Sequence, residues 1–405
     1  MSDEVLSGKK IILGVTGGIA AYKACYLVRE LVQKGAEVRV VMTPSALEFI
    51  TPLTFSSLTK NKVIVNTFPV SEAGNFETAT WHIDYGSWAD LMIIAPATVN
   101  TAAKIAHGFA DNALTTLVTA LRCPLIIAPA ADVDMYMNPV TRENISKLTA
   151  LGYFIVEAEE GELASGLTGK GRLAGNSKIV AAAELVLSGY KRDLENKRIL
   201  VTAGPTYEDI DPVRFVGNRS SGKMGYAIAK AAFLRGAEVT LISGPSLETA
   251  YPEIKLIKVR SAEEMKKQVV KDFSSADILI MAAAVSDYKP GRVSASKIKK
   301  ESSVLSSLKL SETPDILGAL KKNSRYIAGF ALETENELSN AKKKLKNKNL
   351  DLIVLNSLRD KKSGFEYDTN RITVIHKNGK SVKFGLMSKF LAANKILSEI
   401  IKSIE

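Results

Sequence analysis

Cysteine is nearly absent from this 405-residue sequence: Cys25 and Cys123 are its only two, too few for a disulfide scaffold. Histidine is equally scarce, at three, and so few His and Cys residues make a zinc cage a poor reading. Long apolar runs are missing too. The longest, Ile278 to Val285, is eight residues, against roughly 20 for a membrane-spanning helix, so no membrane partner is expected. The opening stretch MSDEVLSGKK has acidic residues first and no apolar segment of its own, so no secretory signal is read there and a cytoplasmic protein is expected. The first glycine-rich loop is not a G-x-G-x-x-G, and no acidic residue closes the second strand, which sets aside an NAD site.

What is present is ordinary for a globular protein: 46% hydrophobic and 24% charged residues. The length predicts two domains. The net charge of +11 is unevenly placed: residues 1–190 carry −3 and the remainder +14. Part of the excess sits in Ala341–Lys348 (AKKKLKNK), which reads as a solvated helix face. A basic half suits a polyphosphate ligand as well as nucleic acid. With no zinc-finger or RNA-recognition signature beside it, nucleic acid is not expected as a partner.

Apolar periodicity predicts an α/β fold of two doubly wound parallel-sheet domains, 1–190 and 191–405. Lys10–Val15 and Glu37–Met42 read as strands around an amphipathic helix from about Ile19 to Lys34, a βαβ unit. Asp90–Ala95 and Pro124–Ala128 read as further buried strands, and Thr101–Thr119 between them looks helical apart from its glycine. The pattern restarts at Lys197–Ala203, followed by a helix from Gly222 to Arg235 and a strand at Glu238–Ser243. The polar stretch 188–196 marks the boundary.

Ligands of such sheets bind beyond the carboxyl ends of the strands. In the first domain these loops carry Gly17 and Gly18, then Thr43 and Ser45, then Thr98 and Asn100. Glycines let backbone amides approach a phosphate, the hydroxyls suit a ribityl-phosphate, and Thr98 with Asn100 can bond the edge of a flat ring. A tight strand-to-helix turn explains the glycines equally well.

Three stretches of the first domain, GVTGGIAAYKA, APAT, and GFADN followed by LTT, resemble the homo-oligomeric flavin-containing cysteine decarboxylases, over residues 10–175. The resemblance implies a flavodoxin-like fold, FMN, trimeric assembly, and an active-site histidine at His82 in Trp81-His-Ile-Asp-Tyr85. Two positions depart from the family. Its PxMN segment reads Pro129-Ala-Ala-Asp132 here, and an ionised Asp132 cannot donate to a substrate carboxylate as the family's Asn does. Its flap cysteine, the family's proton donor, is Ser165, a far weaker acid than a thiol with a pKa of about 8.5.

The second domain resembles the phosphopantothenate–cysteine ligase family over nearly its whole length. The matching motifs are Val201–Thr206, Asp211–Phe215, Asn218–Gly225, Ala282–Asp287, Lys297–Lys300 and Gly329–Thr334. The resemblance implies a Rossmann-like fold and dimers. It also implies CTP held by Ser220, Ser221, Gly222, Asp287, Lys297, Lys299 and Phe330, with Mg2+ on Asp287. Asn218 is implied to stabilise an acyl-nucleotide and Arg214 to hold the phosphate of 4′-phosphopantothenate, a contact guanidinium geometry suits. Together the resemblances imply a bifunctional coenzyme A biosynthesis enzyme that ligates 4′-phosphopantothenate to cysteine and decarboxylates the product. The alternatives are a ligase with an idle flavin domain, or a flavoprotein scaffold acting through partners.

Overall fold

The computed structural model describes residues 5–68, 80–299, 308–333, 335–357, 364 and 367–405. Lys300 and Thr334, which close two of the quoted motifs, lie outside the described residues. The chain divides into two compact units, Met1–Gly189 and Tyr190–Glu405. Among the described residues no helix is long and apolar enough to cross a membrane.

The first unit opens with β1 (Lys10–Val15), α1 (Lys23–Gln33), β2 (Glu37–Met42) and α2 (Pro52–Thr59). It continues with α3 (Trp81–Trp88), β3 (Leu91–Ala97), α4 (Val99–Ala106), α5 (Ala113–Thr119) and β4 (Leu125–Pro129). Next come α6 (Val133–Met137), α7 (Pro139–Ala150) and β5 (Phe154–Ile155). A hairpin of β6 (Glu159–Glu162) and β7 (Thr168–Arg172) precedes α8 (Asn176–Leu187). The sheet runs β2-β1-β3-β4-β5, all parallel. Its strands are apolar on both faces because both faces are covered. Ile11, Leu13 and Val15 pack with Leu27, Leu31 and Ile179 of α1 and α8. Their neighbours Ile12 and Ile94 turn the other way, onto Ala102, Leu114 and Leu148 of α4, α5 and α7.

Two expectations change here. The amphipathic segment begins as a 3-10 turn over Ile19–Tyr22 and becomes α-helical only at Lys23. The helical stretch expected over Thr101–Thr119 is two helices, because Asn112 starts a new one: its side chain accepts from Thr115 N in a capping box.

The second unit begins with β8 (Arg198–Ala203), a small hairpin of β9 (Tyr207–Asp209) and β10 (Phe215–Gly217), and α9 (Lys223–Leu234). There follow β11 (Glu238–Ser243), β12 (Lys255–Lys258), α10 (Ala262–Phe273), β13 (Ile278–Met281), β14 (Tyr288–Pro290) and β15 (Leu310–Glu312). The unit ends with β16 (Tyr326–Glu333), α11 (Glu337–Asn347), β17 (Leu352–Ser357), β18 (Thr369–His376), β19 (Ser381–Ser388) and α12 (Lys389–Ile404). The main sheet runs β12-β11-β8-β13-β16-β17-β18-β19. It is parallel through β17, but β18 and β19 are antiparallel, so this sheet is mixed rather than wholly parallel. The reason is local: Asn378-Gly379 joins β18 to β19 in a tight turn, and a connection that short forces an antiparallel pair. Helices α9 and α12 cover one face, and α10 and α11 the other.

Candidate functional sites at two strand-order reversals

Each sheet reverses its winding direction once, the point at which open α/β sheets form their ligand crevice. In the first unit the reversal lies between β1 and β3. The loops leaving these strands are tied by one buried hydroxyl: Thr16 Oγ1 donates to Pro96 O at 2.7 Å and accepts from Thr98 N at 3.0 Å. Gly17 has no room for a side chain, since a Cβ there would lie 2.5 Å from that of Ser45. The glycines of this loop are therefore needed by packing as well as by any phosphate. Thr98 turns its hydroxyl onto Thr101 at the start of α4, so its side chain caps the helix. Asn100 and Ser45 are exposed beside it. The Thr43 hydroxyl is buried at the end of β2 with no hydrogen-bond partner among the described residues. An unpaired buried hydroxyl is costly, and a polar ligand chain in this crevice would relieve it.

The third wall is the loop after β4. Ala130 N donates to Ala97 O, and Ala131 N donates to Gly171 O of the hairpin, both at 3.0 Å. The fit against the hairpin is close: a Cβ on Gly171 would lie 2.3 Å from Ala131 O, and one on Gly169 2.6 Å from Val133 Cγ2. Asp132 is half-buried where these loops meet, at the N-terminus of α6, with no capping bond from its side chain. The hairpin is further held by Lys170, whose Nζ reaches Glu157 Oε2 at 2.7 Å. Glu157 also accepts from the Tyr136 hydroxyl at 3.1 Å. The bond from Lys170 holds the Glu157 carboxyl below the usual carboxylate range. Ser165 is exposed at the hairpin tip, where its Oγ accepts from Leu167 N. His82 is half-buried in the first turn of α3, its ring edge-on to Trp81 at 5.8 Å.

In the second unit the reversal lies between β8 and β13. The two loops there are laced together. Ala284 N donates to Gly204 O at 2.9 Å, and Ser286 N to Thr206 Oγ1 at 2.9 Å. Asn218 closes over them, its Nδ2 donating to both Ala284 O and Val285 O at 3.1 Å. This leaves the Asn218 carbonyl oxygen as the part of the amide able to face a ligand. The helix expected from Gly222 starts at Lys223, with Gly222 as its N-cap. The Gly222 amide is taken by Ser220 Oγ at 3.3 Å, so not every amide expected to face a phosphate is available.

Asp287 is exposed just beyond the lacing, and Phe330 is half-buried on β16. Lys297 and Lys299 are exposed on either side of Ile298. Arg214, expected to meet a phosphate, directs Nη2 to Ile298 O at 3.0 Å. Two residues of this site escaped the sequence reading. Asp211, quoted only within a motif, is 1% exposed and hydrogen-bonds both its own turn and Ile298. Lys344, read as part of a solvated face, is exposed on α11. Desolvation by surrounding protein lowers its pKa, against the opposing pull of Glu333 and Asp287. Its spacing from Glu337 and Leu345 carried no sign of this, because Asp287 is remote in sequence.

Comparison with known proteins adds two family matches and three relatives. Residues 2–187 match the Flavoprotein family, and residues 194–404 the DNA/pantothenate metabolism flavoprotein C-terminal domain. The chain is 45% identical over 400 residues to the coenzyme A biosynthesis bifunctional protein CoaBC of Bacillus subtilis (strain 168), covering 98% of this chain and 97% of that protein. It is 41% identical over 404 residues to the CoaBC of Escherichia coli (strain K12), covering 98% and 97%. It is also 48% identical over 359 residues to a cysteine/cysteine sulfinic acid decarboxylase from an unknown prokaryotic organism, covering 87% and 99%.

Proposed function

The chain belongs to the CoaBC family of coenzyme A biosynthesis bifunctional proteins, and on that premise we propose a division of labour between its two crevices. The second unit joins 4′-phosphopantothenate to cysteine at the expense of CTP, and the first decarboxylates the product to 4′-phosphopantetheine. One observation carries this reading: at the strand-order reversal of each half, loops that carry separate motifs are hydrogen-bonded to one another, Thr98 to Thr16 in the first and Asn218 to Ala284 in the second.

In the ligase crevice the substrate carboxylate attacks the α-phosphate of CTP and pyrophosphate leaves; the cysteine amine then displaces CMP. Negative charge accumulates on phosphate oxygens, and Lys297 and Lys299 are the cations placed to neutralise it. Asn218 borders the point where the acyl-nucleotide forms, fixed there by its two bonds to the β13 loop. Arg214 takes the phosphate of the pantothenate substrate. Among the described residues no three carboxylate, His or Cys side chains gather around a metal position. That suits Mg2+ arriving with the triphosphate and touching a single protein carboxylate, Asp287.

The flavin crevice fits FMN on the unpaired Thr43 hydroxyl, the loop of Gly17 and Gly18, and the exposed Ser45 and Asn100. Bound FMN would take the two electrons of the cysteinyl carbon–sulfur unit, which eases loss of carbon dioxide, and then return them. We assign His82 as the proton-transfer group of the oxidation, on the resemblance of its segment to the decarboxylase family. We give Asp132 the contact to the substrate carboxylate and the return of a proton to the product, which leaves Ser165 as a closing residue of the flap.

We assign both reactions to the cytoplasm; Cys25 and Cys123 are unbridged, as a reducing compartment allows. Trimers through the flavin unit fit its exposed apolar residues Ile19 and Tyr26, at 61% and 65%. Dimers through the ligase unit complete the assembly proposed.

The test supplies 4′-phosphopantothenate, cysteine, CTP and Mg2+ to FMN-loaded protein and weighs the products. Free cysteine is the control substrate, in view of the cysteine decarboxylase relative. The mass of 4′-phosphopantetheine is expected. Accumulation of 4′-phosphopantothenoylcysteine instead would favour a ligase with an idle flavin domain, and no coupling at all would refute the reading.

A further inference from the structure

The lysines of the nucleotide crevice lie on a stretch with no regular secondary structure, yet one peptide group in it is held from both sides. Ile298 N donates to Asp211 Oδ2 at 3.2 Å, and Ile298 O accepts from Arg214 Nη2 at 3.0 Å. Four residues earlier, Ser294 N donates to Ile210 O at 2.9 Å. Residues 294–298 are therefore zipped onto the turn 210–214 over a sequence separation of more than 80 residues. The turn is itself organised by Asp211, whose Oδ1 accepts from Val213 N at 2.8 Å and Arg214 N at 2.9 Å. Arg214 Nη1 lies 3.8 Å from Oδ2. The side chain is fully buried. Desolvation pushes its carboxyl up, but the amides of Val213, Ile298 and Arg214 hold it below the usual carboxylate range.

We propose that Asp211 is a positioning residue of the ligation reaction, fixing the Ile298 peptide and thereby the flanking Lys297 and Lys299 over the nucleotide. The proposal rests on the assignment of those lysines to the nucleotide given above. It follows from what each oxygen does. Oδ1 shapes a local turn, which many residues of the Asp/Asn type can do. Oδ2 accepts from an amide 87 positions away, and with the Arg214 and Ser294 bonds it ties the lysine segment to the turn. Lysine on an unanchored loop would have to be ordered at each binding event, at a cost in side-chain and backbone entropy that lowers affinity.

The two roles can be separated by one atom. In Asp211→Asn the two amide donors of the turn keep a carbonyl oxygen in place of Oδ1, while an NH2 group replaces Oδ2 and faces the Ile298 N–H. The turn survives, while the lysine segment loses its Oδ2 anchor and keeps the Arg214 and Ser294 bonds alone. Steady-state ligation should then show KM for CTP raised about tenfold, the loss of one charge-assisted bond, with KM for cysteine unchanged. Hydrogen exchange at residues 294–299 should accelerate, with exchange in α9 and α10 unaltered. Unchanged KM for CTP together with unchanged exchange at 294–299 would overturn the proposal. If the variant does not fold, the unmodified protein decides: its Ile298 amide should exchange at least about tenfold more slowly than that of Lys297, and equal rates would overturn it. A wild-type protein that never consumes CTP would sink the ligase reading instead, while the exchange measurement would still decide whether Asp211 anchors the segment.

Discussion

The two crevices sit at equivalent points of their sheets, yet they are held by different chemistry. In the flavin unit the loops are joined through a neutral hydroxyl, Thr16, and the hairpin over them rests on close glycine packing and an exposed ion pair, Lys170–Glu157. In the ligase unit the corresponding work falls to an ionised side chain buried beneath the site, Asp211, and to Asn218. A flat, largely apolar cofactor requires shape, which glycine contacts supply. A polyphosphate requires cations at fixed positions, and cations on a loop must be anchored.

If that contrast is right, variants should fail in different currencies in the two halves. The largest effect is expected for Lys297→Ala. Loss of a cation from a partly dehydrated phosphate site should slow ligation by about 10²–10³-fold, measured as pyrophosphate release, with flavin content unchanged.

Next comes Gly171→Ala. The added Cβ meets Ala131 O at 2.3 Å, a backbone atom that cannot swing away. The hairpin should lift from the Asp132 loop, so decarboxylation should fall at least about tenfold while ligation stays intact. Local destabilisation of about 1–3 kcal/mol should appear as faster proteolysis within the hairpin. Unaltered decarboxylation would mean that the hairpin does not close the site.

Asp132→Asn sharpens the comparison from the other side. It restores the commoner residue of the decarboxylase family, yet if Asp132 is the group that returns the proton it should abolish phosphopantetheine formation while flavin bleaching by substrate continues. His82→Asn should instead prevent bleaching. Normal product from Asp132→Asn would remove Asp132 from the reaction.

A smaller effect concerns pH. Lys389 is 6% exposed, and desolvation with the nearby Lys223 charge lowers its pKa to about 8 from 10.5. The unfolded chain therefore binds the more protons between those values, so the stability of the second unit should rise with pH from about 8 toward 10.5 and lose this gain as pH falls back to about 8. Lys389→Met should flatten the slope of Tm between pH 8 and 10.

The smallest effect is expected for Glu157→Gln. Its partner Lys170 and Glu157 itself are 41% and 56% exposed, so solvent screening limits the loss to below about 1 kcal/mol. The depressed Glu157 carboxyl contributes stability only above its unfolded pKa, and that contribution fades as pH falls through the folded value.

Much of this was legible in the sequence because it is written locally. The strands Lys10–Val15 and Glu37–Met42 show their full extent as short apolar runs flanked by turn residues. The break at His107–Asn112 was also local, in the capping box that opens at Asn112, but the apolar spacing on either side concealed it. The antiparallel pair β18–β19 had its signal in Asn378-Gly379. What could not be read is what depends on distant pairs. Asp211 looks like any turn aspartate until Ile298 is placed beside it, and Gly171 looks like a flexible flap residue until Ala131 is found against it. Motifs drew attention to these loops, but the bonds that hold them run between residues that sequence proximity does not connect.

The central claim is that each crevice performs its own reaction, and it is tested most directly by giving FMN-loaded Lys297→Ala protein 4′-phosphopantothenoylcysteine, the product it should be unable to make. Followed by mass, the account predicts 4′-phosphopantetheine and carbon dioxide at the wild-type rate from that substrate, and almost no product when the same protein receives 4′-phosphopantothenate, cysteine and CTP. Loss of decarboxylation in this variant, or ligation at the wild-type rate, would contradict it.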